Sequence, residues 1–578
     1  MLYHREASNE SRTEDDAGSP TSHLSQVGRG PLLASRAARP RETTPGDEAD
    51  FRAFKFTSWS WHPSLVPYDN VASRSVRSLI ITMAPRTNLP EIAAIALLLS
   101  ISSAFVAQAQ TFEAKCLAFR PENYVTNSSR TAVEYITSGT TLKLTDNVVS
   151  CGRAFQTVAT NLCRVGLSIP TSTKSSISFE LWLPETWTGR FLGTGNGGID
   201  GCLKYEDVTY AALNGFAAFG TNNGHNGTTA IDFLNNKEVG IDFAWRALRI
   251  GTISGKKLTK IFYGKQHTKS YYLGCSLGGR MGLKAAEKFP HDFDGIVAGA
   301  PAVDFNNLIS WRASFFPITG RIGSSNFVTA DMWGGLIHNS ILAQCDDLDG
   351  VTDGIIEDAS KCHFDPLVIK CQGDAVPPTC LNTAQISQVR QIFAPYVDAS
   401  NSVIYSGMQP GSEALAATKL YAGVPFSYSD EWFKFVVHSD PSWNASSLSL
   451  SDVAAAERLN PGDIKTYPES FESFAATGGK ILSYHGQQDN QITSFQSNRF
   501  YDRLLKKTPQ FELEKYYRTF RISGMNHCSG GPGAWVLGQG GGSPSTGIPF
   551  EREKNILAAI VAWVEEGIAP QDHRGHQV

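Results

Sequence analysis

The chain has 578 residues, 41% hydrophobic and 18% charged, a balance ordinary for globular proteins and unlike that of collagenous, fully disordered or polytopic membrane chains. Its 51 lysines and arginines against 55 acids leave a net charge of −4, too small and of the wrong sign for a nucleic-acid partner or for steering a substrate by bulk charge. At about 150 residues per domain the length allows three to four domains, fewer if the N-terminal stretch does not fold.

Residues 1–82 hold scattered Ser, Pro and Arg, no cysteine and no sustained hydrophobic period, and read as a disordered extension. They precede a stretch with every part of a secretory signal: Arg86, an apolar run from Ile92 to Val106, and the small-residue site Ala107-Gln108-Ala109, so that 83–109 is expected to be cleaved. Nothing should precede a signal. Met83 is therefore expected to be the working start and 1–82 a gene-model extension; the alternative is a cytosolic tail on a signal anchor. A spanning anchor needs roughly 20 apolar residues, and Ser100, Ser102 and Ser103 interrupt this run. The mature chain is expected to begin at Gln110, to be secreted, and to have no membrane partner.

All ten cysteines lie at or after Cys116, with short spacings at Cys345 and Cys362 and at Cys371 and Cys380. An even, clustered set suits an oxidised, exported domain; buried thiols or metal ligands in a cytosolic enzyme are the alternative, weakened by the lack of any C-x-x-C pair. Asn127, Asn226 and Asn444 each open an N-x-[ST] acceptor, in keeping with export and glycosylation.

Beyond Gln110, apolar runs of the kind buried on both faces of a sheet alternate with helical patterns, predicting an α/β chain. Arg190-Phe-Leu192 is strand-like and runs into Gly193-Thr-Gly-Asn-Gly-Gly198. Ser270 to Gly274 predicts a strand, Gly279 to Phe289 a helix, and Gly295 to Ala298 another strand. Lys480 to Tyr484 and Tyr516 to Ile522 add strands, and Asn555 to Glu566 a closing helix. Residues 303–477 carry four cysteines, an aspartate-rich loop and many aromatics but no repeated strand-helix unit. They predict an inserted lid between a first (110–302) and a second (478–578) part of one catalytic domain. No fixed-period repeat runs along the chain.

Gly274-Cys275-Ser276-Leu277-Gly278 satisfies G-x-S-x-G between a predicted strand and a predicted helix. In that setting the turn is so tight that its flanks must be glycine, and the serine hydroxyl is pushed out at a helix N-terminus. Ser276 is the candidate nucleophile; a merely tight structural turn is the plainer reading. A base and an orienting acid should follow in the order Ser, Asp or Glu, His. His527, in Gly524-Met-Asn-His-Cys-Ser-Gly-Gly531, lies between a strand and the closing helix, whereas His573 and His576 sit in a polar tail and His438 in the insertion. Asp489 follows the strand Lys480 to Tyr484 and is placed to accept the imidazole N–H. For the tetrahedral oxyanion, Leu277 offers one backbone N–H and Gly197 or Gly198 another.

Taken together, Cys275-Ser276, Asp489 and His527-Cys528 resemble the tannase and feruloyl esterase family of secreted α/β-hydrolases. The resemblance runs from Cys116 to Trp563-Val-Glu-Glu-Gly-Ile-Ala-Pro570 and includes Phe262-Tyr-Gly264, Gly299-Ala-Pro-Ala302 and Tyr405-Ser-Gly-Met-Gln-Pro-Gly-Ser-Glu413. It implies an α/β-hydrolase fold with a large inserted lid and a Ser276, Asp489, His527 triad. It implies a Cys275–Cys528 disulfide tying nucleophile to base, and the pairs Cys116–Cys163, Cys151–Cys202, Cys345–Cys362 and Cys371–Cys380. A covalent link beside each reacting group would hold them in register across a long loop. Departures fall at Thr221-Asn-Asn-Gly-His225, where aspartate is usual, at Arg246-Ala-Leu-Arg249, where a histidine is common, and at Met281, where glutamine is usual.

Cys345 to Asp358 concentrates hard oxygen donors around turn glycines, which suits calcium, although an EF-hand register from Asp347 fails at Val351. The resemblance implies a structural calcium ion held by Asp346, Asp349 and Asp353 with the backbone carbonyls of Val351 and Ile355. A solvated acidic loop is the alternative.

The expected activity is that of a secreted serine esterase cleaving aromatic carboxylic esters, feruloyl or other hydroxycinnamoyl, free or on a plant polymer, through an acyl-enzyme. Galloyl ester hydrolysis, a serine peptidase, and a catalytically silent, calcium-stabilised binding protein are the alternatives. Lid aromatics Phe426, Tyr428, Trp432, Phe433 and Phe435 are expected mostly as core; stacking on a phenolic ring of the substrate is the alternative.

Overall fold

A computed structural model describes residues 110–145, 147–540 and 547–571. The extension 1–82, the signal at 83–109, and His573 and His576 lie outside them. Nine strands form one sheet: β1 (Ser129–Ile136), β2 (Leu162–Pro170), β3 (Ser176–Pro184), β4 (Arg190–Thr194), β5 (Phe216–Thr221), β6 (Lys269–Cys275), β7 (Gly295–Gly299), β8 (Lys480–Gly486) and β9 (Tyr517–Ile522). Their spatial order is β1-β2-β3-β5-β4-β6-β7-β8-β9. β1, β2, β3 and β5 pair antiparallel. From β5 to β9 every neighbour is parallel.

Parallel neighbours require crossovers, and the crossovers here are helices that cover both faces. They include α1 (Tyr205–Leu213), α2 (Ala247–Tyr263), α3 (Leu277–Lys288), α4 (Phe305–Thr319) and α5 (Ser494–Leu505); α6 (Ile556–Glu566) follows the last strand. On one face, Val208 and Tyr210 of α1 and Leu557, Ile560 and Trp563 of α6 pack with Tyr271, Leu273, Val297 and Leu482 of the sheet. On the other, Leu258 and Phe262 of α2 and Met281 and Leu283 of α3 pack with Phe191, Phe219, Tyr272 and Ile296. Double coverage explains why β6 and β7 read as continuous apolar runs. The expected strand at 270–274 extends over Lys269–Cys275, and the expected helix begins two residues early, at Leu277.

Residues 303–477 contribute no strand to the large sheet, and β7 pairs directly with β8, Gly295 opposite Lys480 and Gly299 opposite Tyr484. The insertion has its own short pair of strands, Tyr396–Val397 with Val403–Tyr405. It has no separate core, however. Trp311, Trp333 and Trp432 are fully buried in the same apolar cluster as α2 and α3, each burial contributing on the order of 3 kcal/mol. The lid is thus an outgrowth of one face of the domain.

Five disulfides join the pairs that the resemblance implied, Cys116–Cys163, Cys151–Cys202, Cys275–Cys528, Cys345–Cys362 and Cys371–Cys380. No cysteine is free among the described residues.

Candidate active site

Ser276 sits between β6 and α3 with φ 63° and ψ −123°, a conformation that costs a non-glycine residue free energy and persists only where its surroundings enforce it. The enforcement is backbone: Ser276 N–H donates to Gly299 O at 2.9 Å, and Ala302 N–H donates to Ser276 O at 3.0 Å. The side chain is left half-buried at the head of α3. Close packing closes the turn from the other side, since a Cβ on Gly195 would lie 2.6 Å from Gly278 Cα.

Asp489 and His527 meet where β8 and β9 end. His527 Nδ1 lies 2.7 Å from Asp489 Oδ2, and the carboxylate is wholly buried. An ionised carboxylate only accepts, so Nδ1 carries the hydrogen, which leaves Nε2 as the nitrogen that could serve as a general base. Oδ1 of Asp489 accepts from the Gln491 and Ile492 N–H groups at 2.8 and 2.9 Å. Burial alone would raise this carboxyl, but His527 and His485 outweigh it and hold Asp489 well below the usual carboxylate range. His527 N–H also donates to Asn490 Oδ1 at 3.3 Å.

Ser276 and His527 are drawn to one corner by the bridge between their neighbours Cys275 and Cys528, which spans 253 positions with a Cα–Cα distance of 6.0 Å. Cys528 itself has a φ of 65°. Both sides of the bridge therefore leave regular structure at the bonded cysteine or the residue beside it.

The glycine run after β4 is anchored, not slack. Asn196 Nδ2 donates to Cys202 O and Thr221 O at 2.9 and 2.8 Å, and Cys202 is bonded to Cys151. Of the two expected glycine donors, Gly197 is turned away: its N–H donates to Asp200 Oδ1 at 3.3 Å, because the loop folds back over that buried carboxyl. Gly198 N–H has no acceptor among the described residues, and neither does Leu277 N–H, which heads α3 and has no intrahelical partner.

The chain matches the family described as tannase and feruloyl esterase over residues 163–577. The chain belongs to that family. It is 53% identical over 466 residues to a protein described as probable feruloyl esterase B-2 of Aspergillus flavus, covering 80% of this chain and 89% of that one. The solved feruloyl esterase B from Aspergillus oryzae superposes with a TM-score of 0.78 at 42% identity, over 81% of this chain and 93% of that one. Tannin acyl hydrolase from Aspergillus niger, at 20% identity and a TM-score of 0.62, shares the fold. The protein is a carboxylic ester hydrolase of the α/β-hydrolase fold.

The aspartate loop of this family member brackets its acids with the Cys345–Cys362 bridge. Asp346 accepts from Gly354 N–H on both oxygens at 3.0 and 3.1 Å, Asp349 Oδ1 from Val351 N–H at 2.9 Å, and Asp353 Oδ1 from Ile355 N–H at 3.0 Å. The donors have the hard-oxygen chemistry that calcium takes. Here they face their own backbone, and among the described residues no three acidic, His or Cys side chains gather as a metal cluster. The loop touches the catalytic corner: Ile355 Cδ1 is 3.2 Å from where a Cβ on Gly524 would stand, at the start of the histidine loop.

Sequence reasoning gave no role to three side chains at the site. His485, at the end of β8, contacts Asp489 four residues on, a spacing that could have drawn attention to it. Gln409 lies in the stretch from Tyr405 to Glu413 singled out above, and its Nε2 donates to Asp489 O at 2.6 Å. Arg312 of α4 donates Nε to Gln491 O at 2.9 Å and stands 5.4 Å from the Phe426 ring centre. Tyr428, named from the sequence, packs on the glycine run, its Cζ 2.6 Å from where a Cβ on Gly198 would be, and it meets Phe426 edge to face at 5.0 Å. Phe426 and Tyr428 are thus placed at the site, while Trp432 and Phe433 are buried core, as expected. Two departures from the family pattern touch each other, with Asn223 Nδ2 3.9 Å from Met281 Sδ. Arg246 and Arg249 pair with acids, the first with Asp242 and Glu238 and the second with Asp292.

Proposed function

We propose that the protein hydrolyses feruloyl and related hydroxycinnamoyl esters of plant material through an acyl-enzyme. The observation that carries this reading is the buried Asp489–His527 pair bound through Cys528–Cys275 to the strained Ser276 turn. Ser276 Oγ attacks the ester carbonyl as His527 Nε2 takes its proton. Leu277 and Gly198 N–H groups hold the oxyanion, and collapse expels the alcohol, which receives the proton from His527. Water then attacks the acyl-enzyme, again losing its proton to His527, and the acid leaves as Ser276 regains its hydrogen. Support for the acyl group comes from the feruloyl esterase names of relatives at 53% and 42% identity. Phe426 and Tyr428 beside the oxyanion loop suit an aromatic ring. Hydrolysis of methyl ferulate and methyl gallate side by side, with Ser276→Ala as blank, tests it: ferulate should be preferred, and a preference for gallate would move the protein to the tannase side.

We further propose that Asp346, Asp349 and Asp353, with the carbonyls of Val351 and Ile355, hold a structural calcium ion, supported by donor chemistry alone. Calcium would supply charge neutralisation in a loop that abuts Gly524 and takes no part in the reaction. EDTA should lower the thermal midpoint and calcium restore it; an unchanged midpoint would leave a solvated acidic loop. Export is proposed from the leader at 83–109 and supported by the five disulfides and the exposed Asn127, Asn226 and Asn444. No helix among the described residues is long and apolar enough to cross a membrane.

A further inference from the structure

Two imidazoles share one oxygen of the catalytic carboxylate. We propose that His485 is a positioning residue, donating Nε2–H to Asp489 Oδ2 and so aiming the carboxylate that orients His527; the proposal rests on the reading of Asp489 as the triad acid.

The tautomer follows from the neighbours. His485 Nε2 lies 3.0 Å from both Asp489 Oδ2 and Ile492 O, two acceptors, so Nε2 carries the hydrogen. Nδ1 lies 2.7 Å from Ser497 Oγ on α5, which holds the other side of the ring. The ring is 2% exposed and is held at both nitrogens. With it, Asp489 has a donor for each of four lone-pair directions: Gln491 and Ile492 N–H on Oδ1, and His527 and His485 on Oδ2. Without it, a buried carboxylate would keep one donor on Oδ2 and gain freedom to rotate, and orientation is what the acid supplies to the base.

The charged and titratable groups facing this carboxylate are His527 from the histidine loop, Arg312 from α4, and Tyr405 from the lid strand. His485 competes with His527 for the same oxygen. Removing its N–H leaves more negative charge for the His527 imidazolium, so the acid limb of the pH profile of kcat/KM, which reports that ionisation, should move to higher pH. A histidine that merely fills the core would not move that limb.

The test is ester turnover against pH for His485→Leu, which removes the donor, and His485→Gln, which keeps an N–H. His485→Leu is expected to lose about tenfold to a hundredfold in kcat, with KM little changed and the acid limb raised. His485→Gln should recover most of the rate and the original limb. If His485→Leu does not fold, Ser497→Ala, on the half-buried far side of the ring, should lower kcat about threefold, in keeping with one modest hydrogen bond, and no change there would overturn the proposal. Equal losses in the Leu and Gln variants with an unmoved acid limb would also overturn it. Asp489→Asn is run beside them. Should it stay near wild type, the triad reading falls and takes this one with it. Should it be inactive while His485→Leu matches wild type in rate and limb, only the role of His485 falls.

Discussion

The two sides of the candidate active site are built by different means. The nucleophile side, β6 through α3, is held by backbone: a positive φ at Ser276, hydrogen bonds to Gly299 O and from Ala302 N–H, and glycines at van der Waals limits. The acid and base side, after β8 and β9, is held by side chains as well, among them Gln409 and Arg312 from the distant lid and His485 from the end of β8. A backbone-held group tolerates loss of neighbouring polar atoms but not added bulk. A side-chain-held group shows the opposite sensitivity.

The largest effect should come from the side-chain-held half. Asp489→Asn should leave the fold intact and lower kcat by about ten-thousandfold through the wrong imidazole tautomer, read by steady-state turnover; near-normal activity would mean a misassigned acid. Next is the joint between the two halves. The double variant Cys275→Ala, Cys528→Ala should lose about a hundredfold in turnover, the cost of a small misplacement of reacting groups. Four remaining bridges should keep the fold, so both turnover and melting are measured on one preparation.

Bulk on the backbone-held half follows. Gly195→Val would press on Gly278 Cα, and should cost about 1–3 kcal/mol in a denaturant titration and lower turnover with it. If it is tolerated, the elbow is less tightly closed than its geometry implies. Gln409→Ala leaves the Asp489 carbonyl without its 2.6 Å donor and should destabilise by about 1–2 kcal/mol. Its kcat should fall more than that of an equally destabilised lid variant far from the site.

The smallest expected effect lies in the lid, away from the corner. The hydrogen bond to Glu413 outweighs burial and raises the pKa of His338 above its ordinary value of 6.5. A raised pKa adds stability that is fully present below the unfolded value and is lost as pH rises through the folded one. The thermal midpoint should therefore fall slightly from about pH 6 to about pH 9, and His338→Gln should flatten that slope. An equal slope in the variant would assign the pH dependence elsewhere.

Much of the nucleophile side was legible because its determinants are local. Gly274 to Gly278 between a strand and a helix is a backbone instruction written in five adjacent residues, and the apolar runs of β4, β6, β7 and β8 announced a doubly covered sheet. Asp489 and His527 were legible through their order along the chain and the cysteines beside Ser276 and His527. Tertiary structure alone decided the rest. The strands β1 to β3, and β5 beside them, went unread because no motif flags them, and the ladder β1-β2-β3-β5 alone places them in the sheet. Which glycine amide stays free was settled by Asp200, whose carboxyl is brought under Gly197 by the fold-back of the loop. Gln409 and Arg312 reach the backbone carbonyls of Asp489 and Gln491 from segments far apart in sequence, and hydrogen-bond partners chosen across such distances leave no local pattern to read. The lid's place in the same core as α2 and α3 was decided the same way, since Trp311, Trp333 and Trp432 announce burial without naming what they are buried against.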